Sequence, residues 1–210
     1  MKNIRILDMD GTLTDSMMYI ARSVLRVLDE EGIPYTYEMM AKLTPIGFYK
    51  TAEYFSELGV PGSVEEILAR ITGNLLALYE TEVPMKEGAR EFILRSKAEG
   101  ARLFILTASL SAFAHAALRR HGLADCIEGV FSTEDLHLAK DNPALFHRVL
   151  DMIGCTPADV IYYDDNPVAV KTAKACGLET YGVYDKQSDE VVAAMRADTD
   201  HFIMSFSELL

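Results

Sequence analysis

A chain of 210 residues, half of them hydrophobic, is long enough for one or two domains and buries enough surface to fold without disulfide or metal staples. Its formal charge of −12 speaks against a nucleic acid or an anionic membrane as the main partner, and it leaves a small anionic substrate only where a site supplies its own positive charge. The three cysteines, Cys126, Cys155 and Cys176, are odd in number and form no Cys-x-x-Cys pair, which argues against a disulfide framework or a zinc site and for apolar packers in a reducing compartment.

Only a short apolar run precedes the first acids, so neither a secretory signal nor a membrane span is expected, and a soluble cytoplasmic protein is. Residues 3–7, with Ile4 and Ile6 alternating, read as a short strand. A polar, turn-like stretch from Asp8 to Ser16 follows. From Ser16 to about Val83 the pattern is helical: Met17, Ile20, Ala21, Val24, Leu25 and Leu28 recur at helical spacing, and Gly32 stops the run. Ser63 and Glu66 form a capping box opening a helix that carries Ile67, Leu68, Ile71, Leu75 and Leu78. Beyond Pro84 the rhythm changes. A helix from about Lys86 to Ala98 precedes a strand at 102–106, a helix at about 111–120 and a strand at 127–131. Asn142-Pro143 joins an N-cap to a proline at the first helical position, and that helix ends before Gly154. A strand at 160–163, a second Asn-Pro start at 166–167 for a helix ending at Gly177, and a strand at 179–183 follow.

Strands alternating with helices imply an α/β, Rossmann-like fold: a parallel sheet with helices on both faces and right-handed crossovers. The all-helical block interrupts this series directly after its first strand. The expected organisation is therefore a core domain of residues 1–15 and 84–210 with an inserted helical cap of residues 16–83, able to act as a lid.

In open parallel sheets, ligands bind beyond the carboxyl ends of the strands. The sequence places Asp8 and Asp10 after the first strand, Thr107 and Ser109 after the second, Lys140 after the third, and Asp164 and Asp165 after the fourth. Carboxylates gathered at one edge raise one another's pKa or require a cation, and a hard divalent ion such as Mg²⁺ suits oxygen ligands. Mg²⁺ and Lys140 together would let a phosphate dianion approach, with Thr107 and the following helix start offering a hydroxyl and free N–H groups. Singly, each feature has a plainer reading. Asp164 to Pro167 could be only a helix cap, Lys140 a solvated lysine, and Thr107 a strand-end hydroxyl. The loop at Asp8 lacks the spaced acids of a calcium loop. Occurrence together at successive strand ends favours a site. His115, His121, His137, His147 and His201 show no ligand spacing, Tyr162 and Tyr163 read as strand residues, and Met17, Met18, Met39 and Met40 as ordinary packing.

These residues also carry a resemblance. Asp8-Met-Asp-Gly-Thr-Leu-Thr-Asp-Ser16 resembles the first motif of the haloacid dehalogenase superfamily in its phosphatase branch, and Ile105-Leu-Thr-Ala-Ser109 is similar to the second. Lys140 followed by Pro143 is similar to the third, and Tyr162-Tyr-Asp-Asp-Asn166, leading to Ala173-Lys-Ala-Cys-Gly177, to the fourth. The similarity spans residues 1–15 and 84–205, and the helical insert resembles the cap of the subfamily that includes phosphoglycolate phosphatase and β-phosphoglucomutase.

The resemblance implies a Mg²⁺-dependent phosphatase acting on a small phosphorylated metabolite through an aspartyl-phosphate, as a monomer or homodimer. Asp8 would be the nucleophile, and Asp10 the acid and base whose backbone carbonyl also meets the metal. Thr107 and Lys140 would hold the phosphoryl group, with Gly11, Ala108 and Ser109 also contacting substrate. Asp8, Asp10 and Asp165 would be metal ligands supported by Asp164; whether Asp164 or Asp165 coordinates stays open. Two positions depart from the pattern: Ala169 stands where a second acid is usual, and Asp141 where proline is common. Asp10 argues against dehalogenase chemistry. Pro45-Ile-Gly-Phe-Tyr-Lys50 resembles a cap segment that carries a reactive lysine elsewhere in the family, so Gly47 and Lys50 are expected on a cap loop facing Asp8. The alternatives are a phosphomutase and a catalytically weak binding protein.

Overall fold

The computed structural model describes residues 2–36, 38, 39, 43 and 47–210. The chain divides into two compact units, one of Ser16–Val83 and one of Met1–Asp15 with Pro84–Leu210.

The first unit is helical, with α1 (Met17–Glu30), α2 (Gly47–Glu57) and α3 (Val64–Thr81) among its described residues. Its core joins Val24, Val27 and Leu28 of α1 to Ala52 and Phe55 of α2 and to Ile67 and Ile71 of α3. The buried stripe of α1 differs from the expected one at its start: Met17 is exposed and Ile20, Ala21 and Leu25 are half-buried, while Val27 joins Val24 and Leu28 inside. The capping box of α3 is present, with the Glu66 N–H donating to Ser63 Oγ at 3.2 Å and the Ser63 N–H to Glu66 Oε2 at 2.8 Å. Burial along α3 then follows Ile67, Ile71, Leu75 and Tyr79, a strict four-residue step that leaves Leu68 and Leu78 half-buried.

The second unit is built on a six-stranded sheet: β1 (Ile4–Leu7), β2 (Arg102–Thr107), β3 (Ile127–Ser132), β4 (Val160–Asp164), β5 (Glu179–Val183) and β6 (His201–Ile203). The order is β3-β2-β1-β4-β5-β6, and every neighbouring pair is parallel. Alternation along the strands supplies two buried faces. Ile4 and Ile6, Phe104 and Leu106, and Val160 and Tyr162 pack on one face with Phe146 and Val170. Tyr163 turns the other way and meets Phe92 edge-on at 5.4 Å. The accompanying helices are α4 (Ala89–Ala98), α5 (Ser111–Arg120), α6 (Thr133–Leu136), α7 (Pro143–Ile153), α8 (Pro167–Ala175) and α9 (Asp189–Asp198). Among the described residues, no helix is long and apolar enough to cross a membrane.

Register decides what meets at the carboxyl edge. Leu7 pairs with Ile105 on one side and with Tyr163 on the other, so Asp8 emerges between the ends of β2 and β4. The chain runs from β1 outward to β2 and β3, then returns to the far side of β1 as β4. The connections after β1 and β4 therefore run to opposite sides of the sheet, a switch point of the kind at which such sheets hold a ligand crevice.

The structure also moves one boundary and adds elements. The helix expected from about Lys86 begins at Ala89, because Gly88 is left-handed at φ 73° and a Cβ there would stand 2.4 Å from the Ser207 nitrogen. Helices α6 and α9 and strand β6 were not anticipated. The edge strand β6 has only three residues and buries only Ile203, too weak a pattern to read.

Candidate active site

Strand hydrogen bonding continues one residue past β1: the Asp8 N–H donates to the Tyr163 carbonyl at 2.9 Å. The chain then coils back, with the Leu13 and Thr14 N–H groups both donating to the Met9 carbonyl at 2.9 Å. Gly11 occupies this turn at φ 83°, and a Cβ on it would lie 2.7 Å from Asp165 Oδ2. Only glycine admits such an approach in that conformation. Thr12 completes the clasp: its hydroxyl donates to Asp165 Oδ1 at 2.9 Å and accepts from the Asp165 N–H at 3.0 Å. The loops after β1 and β4 are thus locked together.

Lys140 enters from the segment after β3. Its ammonium donates to Asp8 Oδ1 at 2.5 Å and to Asp164 Oδ2 at 2.7 Å, and its side chain is only 9% exposed. Asp164 also accepts from the Tyr162 hydroxyl and from the Asn166 N–H, the latter at 2.7 Å. Tyr162 and Asp164 are two residues apart on β4 and so share a face. Asn166 in turn caps α8, its side-chain oxygen accepting from the Val168 N–H at 2.9 Å. One oxygen from each of Asp8, Asp164 and Asp165 lies within 4.8 Å of the others.

Burial dominates the electrostatics. It pushes the Asp8 carboxyl up to about 7 against the pull of Lys140, with Asp164 and Asp10 adding to the rise. Burial likewise raises Asp165 well above the carboxylate range, helped by Asp164 and Asp8. Burial alone would lower Lys140; Asp164 and Asp8 outweigh it and hold the ammonium above its ordinary value. One ammonium thus faces three crowded carboxylates, and the surplus negative charge together with an all-oxygen donor set fits a hard divalent cation.

Thr107, the last residue of β2, is buried, and its hydroxyl accepts from the Ser109 N–H at 3.0 Å. The Ser132 hydroxyl donates to the Ser109 carbonyl at 2.8 Å, and the Thr133 hydroxyl to the Ala108 carbonyl at 3.3 Å, fixing this loop from β3. A cleft of about 320 Å³ is lined by Ala108, Lys140, Asn166 and Ala169 among others.

The structure therefore brings together Asp8, Gly11, Lys140, Asp164 and Asp165, with the half-buried Asp10 acting on Asp8 through its charge. Thr107, Ala108 and Ser109 form the adjoining loop of β2. Gly47 and Lys50 belong to the helical unit, where they lie exposed in the first turn of α2 rather than on a loop; Pro45, Ile46 and Met40 fall outside the described residues. Sequence reading missed Thr12, the Tyr162 hydroxyl and a trio at the end of β5: Lys86, Asp185 and Gln187. The strand-end rule, extended to β5, would have flagged Asp185. Lys86 gives no signal, since a lysine before a helix ordinarily reads as a surface residue.

Comparison with known proteins shows what the chain and its fold are similar to. The family profile described as haloacid dehalogenase-like hydrolase matches residues 4–177. A phosphorylated carbohydrates phosphatase of Thermotoga maritima is 24% identical over 186 residues, covering 88% of this chain and 86% of that protein. A phosphoglycolate phosphatase of Yersinia pseudotuberculosis is 23% identical, covering 97% and 89%. The crystal structure of CbbY from Rhodobacter sphaeroides in complex with phosphate superposes with a TM-score of 0.81 at 21% identity, covering 100% of this chain and 96% of that one.

Proposed function

The chain belongs to the haloacid dehalogenase-like hydrolases, and from that premise we propose that it is a phosphatase of small phosphorylated metabolites, with Asp8 as the nucleophile. The observation that carries this reading is the placement of Asp8: buried at the crevice, hydrogen-bonded by Lys140 at 2.5 Å, and grouped with Asp164 and Asp165. Relatives whose names describe phosphatases support the substrate class.

In this mechanism an Asp8 carboxylate oxygen attacks phosphorus and the ester oxygen leaves, forming an aspartyl-phosphate. Asp10 gives the leaving oxygen its proton, then takes one from the water that hydrolyses the intermediate. Lys140 and the Thr107–Ser109 loop hold the phosphoryl oxygens, where charge stabilisation supplies most of the rate. Asp8, the Asp10 carbonyl and Asp165 would hold Mg²⁺, which when bound neutralises carboxylate and phosphate charge together. Asp165 suits direct coordination better than Asp164, which already accepts from Lys140, Tyr162 and Asn166. Lys50→Ala tests the expected role of the helical unit as a cap: KM raised several-fold with kcat little changed supports substrate contact by Lys50, and unchanged KM removes Lys50 from the site.

The test is phosphate release from a panel of phosphorylated metabolites, with Mg²⁺ or with EDTA, for the wild type and Asp8→Asn. The proposal expects release by the wild type with Mg²⁺ alone. Equal inertness of both proteins on every compound would leave a binding protein, and conversion of a sugar phosphate without net phosphate release would indicate a mutase.

A further inference from the structure

Three side chains that the proposed chemistry does not use make one continuous hydrogen-bonded bracket. The Lys86 ammonium, its side chain 15% exposed, donates to the Gly11 carbonyl at 2.6 Å, to Asp185 Oδ1 at 3.0 Å and to the Tyr184 carbonyl. An ammonium carries three donors, so these three acceptors commit it fully. The Asp185 N–H donates to Gln187 Oε1 at 2.6 Å, and Gln187 Nε2 donates to the Asp165 carbonyl at 2.9 Å. One end of the bracket grips the loop after β1 at the residue following Asp10. The other end grips the loop after β4 at Asp165 itself. Both grips are on backbone carbonyls, one of Gly11, directly after Asp10, and one of Asp165.

Stability alone is a poor reason for this arrangement. Lys86 and Asp185 are both largely buried, and burying an ion pair costs about as much as its attraction returns. The value of a buried pair then lies in the geometry it enforces. The reciprocal Thr12–Asp165 bonds close the same two loops from the side-chain direction, so the spacing between them is fixed at more than one point.

We infer that Lys86, Asp185 and Gln187 are positioning residues for the divalent cation of the proposed site, setting the distance between the two loops that hold it. The inference rests on that reading of the carboxylate cluster. Loss of groups that orient metal ligands typically weakens metal binding about 10–100-fold.

The experiment is titration calorimetry of Mg²⁺ alone into the EDTA-stripped full chain, for the wild type, Lys86→Met and Gln187→Ala, with circular dichroism as the control for folding. Each variant is expected to raise the Mg²⁺ Kd about tenfold or more, while p-nitrophenyl phosphate turnover returns close to the wild-type rate at saturating Mg²⁺. A merely structural role would lower the melting temperature and leave the Kd of the folded protein unmoved. Folded variants that bind Mg²⁺ as the wild type does would overturn the inference. Should Lys86→Met fail to fold, Gln187→Ala, which removes no charge, decides by itself. A wild type that hydrolyses phosphate esters beside variants of unchanged Mg²⁺ affinity defeats the bracket alone. A wild type that turns over no ester, beside variants of weakened affinity, defeats the phosphatase reading alone.

Discussion

Replacing Lys140 with methionine keeps the length of the side chain and removes the only ammonium that touches Asp8 and Asp164 among the described residues. Side-chain exposure is 9% for Lys140, 5% for Asp8 and 1% for Asp164, so neither carboxylate can turn to water for compensation. Stranding a buried charge in this way costs about 3–5 kcal/mol. Asp164 keeps its bonds from the Tyr162 hydroxyl and the Asn166 N–H, while Asp8 has one escape, which is to protonate. That carboxyl already stands at about 7 with Lys140 present and rises further without it. An acid whose folded pKa is raised imposes no penalty below its unfolded value and a growing one as pH climbs toward the folded value. Between the wild-type value of about 7 and the higher value in the variant, the difference in stability grows by about 1.4 kcal/mol per pH unit, so the variant should lose more at pH 8 than at pH 6, both in EDTA. For a chain of this length about 1 kcal/mol shifts Tm by roughly 2–4 °C, so the added loss at pH 8 corresponds to about 3–5 °C. Differential scanning calorimetry at the two pH values reads it. An unchanged Tm at pH 8, or a larger loss at pH 6 than at pH 8, would refute the reasoning. With Mg²⁺ and substrate, the same variant should lose about 10²–10³ in kcat, the usual effect of deleting one charge-stabilising donor.

Two further outcomes follow from the same geometry. Because burial and neighbouring acids raise Asp8 to about 7 and Asp165 above its ordinary range, a cation must displace protons; Mg²⁺ affinity measured by calorimetry should fall as pH drops below about 7, and an affinity flat from pH 6 to 8 would contradict the cluster's electrostatics. Gly11→Ala places a Cβ 2.7 Å from Asp165 Oδ2 at φ 83°, so it should cost about 1–2 kcal/mol in backbone strain and weaken Mg²⁺ binding in the folded protein; wild-type affinity in that variant would show that the two loops tolerate separation.

Much of the core was legible because its signals are local. The alternation of Ile4 and Ile6 and the apolar run Leu103–Leu106 announce strands, and the two Asn-Pro starts announce α7 and α8 to the residue. The acids and Lys140 were legible because strand ends in such a sheet share one edge. The clasp between Thr12 and Asp165 was not, since it joins residues 153 positions apart and follows from register rather than composition. The bracket through Lys86 was hidden for the same reason: its donors and acceptors lie 75 and 99 residues apart. The Tyr162 hydroxyl bond was within reach, because alternation along β4 puts Tyr162 and Asp164 on one face, but the sequence alone gives the ring no polar errand. Gly47 and Lys50 differ in another way: the resemblance of residues 45–50 to a cap segment put them on a loop, and a helix begins at Gly47 instead.

The central claim is that the Asp8 carboxylate itself takes up the phosphoryl group. Quenching a turnover in acid within milliseconds, reducing with borohydride and mapping peptides by mass spectrometry tests it directly, because an acyl phosphate is reduced to an alcohol whereas a free carboxylate is not. The account predicts that residue 8 appears as homoserine only when substrate and Mg²⁺ are both present. Steady turnover with residue 8 still an aspartate, or the modification found at another residue, would contradict it.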